Sequence, residues 1–97
     1  MRAMVKIPSG LEPQPPPTII EGDGDAIVVA RLLLDADNII EHKIAEHVYV
    51  YTHEQDGTYE YNERLAFVCE KIFGVLTALE GEVCILIEDG AEEHLLK

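Results

Sequence analysis

All five prolines of this 97-residue chain fall between residues 8 and 17, in PSGLEPQPPP. Each proline fixes φ and removes a backbone donor, so the segment favours extended polyproline geometry over helix or sheet ladder. EGDGD follows at residues 21–25 and closes the stretch with turn chemistry. The expectation is an extended Pro/Gly-rich arm over residues 1–24 and a single small α+β domain over 25–97. About 70 residues then remain to build a core, a size at which burial only narrowly exceeds chain entropy and association would help.

Within that domain, residues 26–34, AIVVARLLL, combine β-branched side chains with near-continuous hydrophobicity and read as a first strand covered on both faces. Asp35, Ala36, Asp37 and Asn38 supply turn or cap chemistry. Residues 39–47, IIEHKIAEH, read as a second strand with Ile40, Ile44, Val48 and Val50 on one face. A helix over the same residues would instead complete a ferredoxin-like βαββαβ order. VYVYT and TYEYN alternate, are rich in aromatic and β-branched residues, and flank Asp56-Gly57. They predict a hairpin with Thr52 opposite Tyr61, Val48 and Val50 on one face, and Tyr49 and Tyr51 on the other.

From Asn62 to Leu79 the apolar period is helical: Leu65, Val68, Cys69, Ile72, Phe73, Leu76 and Leu79 share one arc. Asn62 suits the N-cap, Glu63 the positive first turn, and Gly81 a left-handed termination. A last strand over 82–88 turns Val83, Ile85 and Ile87 toward that helix and Cys84 and Leu86 away from it, and the tail AEEHLLK is expected to fray or pack loosely. The fold expected is thus α+β, a three- or four-stranded antiparallel sheet packed on one long amphipathic helix, with an extended Pro-rich N-terminal arm.

The motifs of common catalysts are missing. Zinc chemistry favours pairs such as HExxH or CxxC, and none occurs; His42 and His47 are five apart, and His53 and His94 would meet only through the fold. Asp35, Asp37 and Glu46 match three positions of a calcium loop, but Ile40 stands where its tight turn requires glycine. Asp23 and Asp25 offer at most a weak cation contact. The one serine, Ser9, lies in the arm, and Cys69 falls on the core arc of the helix, where burial blunts a thiol. Paired acids such as Glu92-Glu93 or Glu88-Asp89 sit near a chain end instead of around a pocket. There is no phosphate-binding glycine loop. No enzyme activity, cofactor or metal is expected, and Cys69 and Cys84 read as reduced, buried thiols.

Charge is the most unusual property: 19 acidic residues against seven lysines and arginines give a net charge of −12. Arg2 and Lys6 outweigh Glu12 in the first 18 residues, so the remainder is more acidic still. Such a field repels phosphate backbones and anionic lipids, which argues against direct nucleic-acid or membrane binding, and it steers the protein toward a basic partner. The apolar runs are too short to span a bilayer and the N-terminus lacks the apolar region of a signal peptide, which predicts a cytoplasmic protein.

Two surfaces stand out. On the helix side opposite the core arc, Glu63, Phe67, Glu70 and Gly74 place an aromatic anchor between carboxylates, with Lys71 at the edge. On the sheet, Tyr49, Tyr51, Cys84 and Leu86 form a face too apolar for open water, to be covered by a second subunit in a homodimer, by the arm, or by a short helix. The leading expectation is a non-enzymatic interaction or inhibitor module for a basic surface, such as that of a nucleic-acid-binding protein, with carboxylates imitating phosphates. Inhibitors of nucleic-acid enzymes, including viral counter-defence proteins, share this charge and size. The alternative is a structural or homodimeric subunit whose acidity serves solubility.

Overall fold

The last apolar run of the sequence, VCILI, has no polar side chain on either face, and the structure buries both. The computed structural model describes residues 2–21 and 24–89. In chain order its elements are β1 (Arg2–Ile7), β2 (Thr18–Ile20), α1 (Ala26–Leu34), β3 (Ile40–Ala45), β4 (Val48–Thr52), α2 (Glu63–Val68), a π-helical turn over Cys69–Phe73, and β5 (Val83–Ile87). The strands form one antiparallel sheet in the order β2-β1-β5-β4-β3, with VCILI at its centre.

Side chains alternate across a strand, so a central strand of this kind needs cover on both sides. On one face Met4, Tyr51, Cys84 and Leu86 pack against Ala26, Ala30 and Leu34 of α1. On the other, Ile7, Val48, Val50, Val83 and Ile85 pack against Leu65 of α2 and Cys69 of the π turn. The protein is therefore α+β, a five-stranded antiparallel sheet between two short helical elements. The expectation of three or four strands on one long helix is corrected in both counts.

The N-terminal residues are not an arm. RAMVKI is β1, paired with β2 on one side and β5 on the other, with Met4 buried in one core and Ile7 in the other. The prolines occupy only the connection from β1 to β2, where no ladder bond is lost. This connection is held from both sides: Gln14 Nε2 donates to Lys6 O at 2.5 Å, and Arg64 Nη1 donates to Glu12 O at 2.6 Å.

AIVVARLLL, expected as a strand, is helix α1. Its N-cap Asp25 accepts a bond from Ile27 N at 2.9 Å, and Asp35 ends it in a left-handed conformation at φ 50°, donating to Arg31 O and Leu32 O. The β-branched residues cost only tenths of a kcal/mol each in helix propensity. Burying the stripe Ala26, Ala30, Leu34 on an uncovered sheet face outweighs that.

Residues 40–45 form a strand, as expected, so the ferredoxin-like alternative with a helix there is not met. Its partner differs from expectation, however. VYVYT pairs with β3 and β5, not with TYEYN, whose only ladder contact among the described residues is a bridge from Tyr61 to Glu80. Asp56-Gly57 does turn, with Thr58 N bonded to Asp56 Oδ1 at 3.0 Å and Gly57 at φ 87°, but it turns a loop. The true hairpin turn is Glu46-His47, where His47 takes φ 63°. The expected alternation holds: Val48 and Val50 lie in one core and Tyr51 in the other.

The second helix starts where expected and stops early. Asn62 Oδ1 caps Leu65 N at 2.9 Å, but Gly74, at φ 68°, and not Gly81 reverses the chain, bonding back to Glu70 O. Leu76, placed on the core arc by the helical period, is 85% exposed beyond that reversal.

Candidate functional site

α2 is amphipathic by construction. Leu65 and Cys69 are fully buried against the sheet, which turns Glu63, Phe67 and Glu70 outward. Phe67 is 63% exposed, and Gly74 lies exposed at the end of the π turn. Neither the proline connection nor residues 39–47 cover Phe67. The Nζ of Lys71 sits 5.9 Å from its ring centroid, a cation–π distance. Beside the ring runs an open groove of about 500 Å³ lined by Ile7, Gln14, Glu63, Arg64, Phe67 and Val68. Arg64 and Gln14 serve the groove twice, as lining and as the two anchors of the proline connection.

Carboxylates thicken toward the N-terminal end of α2. Asn62 bonds to Ile7 O and Gly81 O, so the helix begins where the loop 53–61 and the segment 80–82 meet. Glu54, Asp56, Glu60, Glu80 and Glu82 belong to those two segments. Glu80 Oε1 accepts from Gly57 N at 3.1 Å, and Lys6 neutralises Glu82 at 3.5 Å. Two half-exposed aromatics stand among them, Tyr61, whose hydroxyl donates to Thr77 O, and Tyr59, stacked on His53 with centroids 4.7 Å apart.

The sheet face read as a subunit interface is closed from within. Tyr51, Cys84 and Leu86 are buried, and Tyr49 is half-buried, because α1 lies on them. Of the three covers expected for Tyr49, Tyr51, Cys84 and Leu86, a second subunit, the arm or a short helix, the short helix is the one present, and the oligomer interface placed on these residues is corrected accordingly.

That arrangement creates a feature not foreseen from the sequence. At the start of α1 an open cavity of about 540 Å³ is lined by Tyr49, Tyr51, Asp25, Glu41, Glu88 and Arg2, among others. Tyr51 donates its phenolic proton to Glu41 Oε2 at 2.7 Å. Burial, then that hydrogen bond and the charges on Glu41, Glu88 and Asp25, hold the phenol above its ordinary titration range. Arg2 lines the same cavity and donates to Gly24 O. The signal was hidden because Glu41 meets Tyr51 only through a hairpin whose turn contains no Asn-Gly or Asp-Gly pair.

The remaining reactive side chains have structural surroundings. Cys69 and Cys84 are free, buried, and in different cores. Burial pushes both thiols up, Cys84 to about 12. His42 pairs with Thr52 Oγ1 at 3.0 Å, and burial lowers its pKa. Asp35, Asp37 and Glu46 fall on the α1 cap, the following turn and the β3–β4 turn. Asp23, Glu92-Glu93, His94 and the AEEHLLK tail lie outside the described residues. Among the described residues no group of three or more His, Cys, Asp or Glu is placed to hold a metal ion, and no helix is long and apolar enough to cross a membrane. Compared with known protein families, curated proteins and solved structures, the chain matches none.

Proposed function

We propose that this chain is a non-enzymatic acidic interaction module that occupies a basic surface of a partner protein through the outer face of α2. The observation that carries the reading is Phe67, an aromatic ring 63% exposed between Glu63 and Glu70 and beside an open groove. Large rings are the usual anchors of protein interfaces, because they bury much apolar area at little entropic cost. Charge supplies range and Phe67 supplies grip. With a net charge of −12 the chain is steered to a basic surface, and the groove accepts the apolar side chains around it.

The partner class that suits this charge is a protein whose basic surface normally holds nucleic acid. Glu60 and Glu80 at the start of α2, continued by Glu63 and Glu70 along it, would stand in for phosphates. Blocking that surface makes the module an inhibitor.

The test is capture from a native-host lysate at low salt, followed by salt elution, with wild-type chain, Phe67→Ala, and Glu63→Lys combined with Glu70→Lys. The expected result is a basic protein retained by wild type, weakened about tenfold or more by Phe67→Ala and lost in the charge-reversed variant. Circular dichroism checks that both variants fold. Equal capture by all three would remove α2 as the binding face.

A further inference from the structure

An edge strand offers a row of unpaired backbone donors and acceptors, and proteins usually blunt it with brevity or proline. β2 is blunted in this way, being three residues long and directly preceded by Pro15, Pro16 and Pro17. β3 is different. It is six residues long, contains no proline, and pairs only inward, with β4, among the described residues. Ile40 at its start is 38% exposed.

The order of side chains along this strand is self-complementary. Placing a second copy antiparallel, with His42 opposite its own counterpart, brings Glu41 opposite Lys43 and Ile40 opposite Ile44, each pair occurring twice. The faces agree. Glu41 bonds to Tyr51 on the α1 side, and Lys43, two residues on, shares that side. His42 bonds to Thr52 on the α2 side, where Ile44 joins the core and Ile40 follows by alternation. Opposite charges therefore meet opposite charges on one face, and apolar side chains meet on the other. A shift of one residue would set each side chain against one of the other kind. The irregularity between Lys43 and Ala45 falls at Ile44, so Glu41, His42 and Lys43 carry the regular pairing and Ile44 stands at its end.

We propose that two copies of this chain associate through β3 in this register, extending the sheet across a two-fold axis at His42. The α2 face is left free by this pairing, so the proposal goes beyond the binding reading above and does not depend on it. The self-match of charge singles out a second copy over an unrelated strand, which would meet Glu41 and Lys43 without their complements.

The experiment is sedimentation velocity or light scattering on the full chain. Wild type is expected at twice the 10.8 kDa chain mass. Lys43→Glu opposes two pairs of glutamates and Glu41→Lys two pairs of lysines, so each alone is expected to raise the dissociation constant about tenfold or more. Mixing the two variants pairs every glutamate with a lysine and restores the dimer. If either single variant fails to fold, Glu41→Lys with Lys43→Glu in one chain keeps the test, since the swap preserves complementarity and must dimerise. A monomeric wild type, dimerisation untouched by both reversals, or a mixture or swapped chain that stays monomeric while folded would each overturn the proposal.

Discussion

α1 begins at Asp25, whose water-exposed carboxylate accepts one hydrogen bond, from Ile27 N. α2 begins at Asn62, whose side chain is 1% exposed and makes three: it accepts from Leu65 N and donates to Ile7 O and Gly81 O. Both caps satisfy a helix start, but only the second also ties the end of β1 to the approach to β5. The backbone of Asn62 adds a further tie, donating to Leu79 O at 2.9 Å. α1 is thus held on its face by the apolar stripe Ala26, Ala30 and Leu34, and α2 is held by its stripe together with a polar joint at its root. Rigidity at that joint matters because it fixes where Phe67 and the neighbouring carboxylates stand.

The largest effect should therefore come from Asn62→Ala. It removes the cap, worth about 1 kcal/mol, and strands two buried carbonyls at about 1 kcal/mol each or more. A loss of about 3 kcal/mol in unfolding free energy is expected by urea titration. Asn62→Asp, which keeps the cap acceptor and removes both donors, should recover only the smaller share. Full recovery by Asp would mean that the two carbonyl bonds contribute nothing and that the joint is an ordinary cap.

What the sequence disclosed follows the same division. Asn62 as a cap, Val83, Ile85 and Ile87 facing the helix, and Phe67 facing away from the core depend on chemistry within a few residues, and all were legible. α1 was not, because AIVVARLLL satisfies a buried strand as well as it does a helix. What decides between them is an uncovered sheet face built from residues 4, 51, 84 and 86. β1 was hidden by its neighbourhood: the prolines begin at Pro8, one residue past the strand, and their composition coloured RAMVKI. The β3–β4 turn was missed because His47 takes the left-handed position without a glycine to announce it. Of the site, Glu63, Phe67 and Glu70 were readable from period alone, whereas the groove beside them needs Ile7 and Gln14 from the other end of the chain.

The two faces also differ in the thiol each buries, which gives a second, intermediate effect. Cys84 lies under α1 with its pKa raised to about 12, chiefly by burial, and Cys69 lies under α2 with its pKa raised for the same reason but eased by the nearby Thr77 hydroxyl. An unfolded thiol ionises near 9.0, so stability is fully present below that pH and declines as pH rises toward the folded value. The decline per thiol is at most about 1.4 kcal/mol per pH unit. Tyr51 is also raised, from 10.0, so the comparison belongs below that pH. Chemical unfolding between about pH 8 and 10 should lose its alkaline slope more in Cys84→Ala than in Cys69→Ala, each compared with its own stability at the lower pH. Equal slopes would show that the α1 face desolvates its thiol no more than the α2 face does.

The smallest effect should be Asp25→Ala. Asp25 and Asn62 each accept one backbone N–H at 2.9 Å, from the residue two on and the residue three on respectively, so a large difference between their alanine variants measures what surrounds the cap more than the cap itself. An exposed cap costs about 0.5–1 kcal/mol to remove, since water replaces the lost acceptor. Among the described residues this side chain makes no other hydrogen bond, and Ala26, Ala30 and Leu34 keep α1 seated when it is gone. Urea titration should place Asp25→Ala within about 1 kcal/mol of wild type, with an unchanged denaturant slope. Asp25→Asn, retaining an acceptor, should be closer still. If Asp25→Ala instead approached Asn62→Ala, the contact stripe could not be what holds α1, and the start of that helix would have to be a joint in its own right.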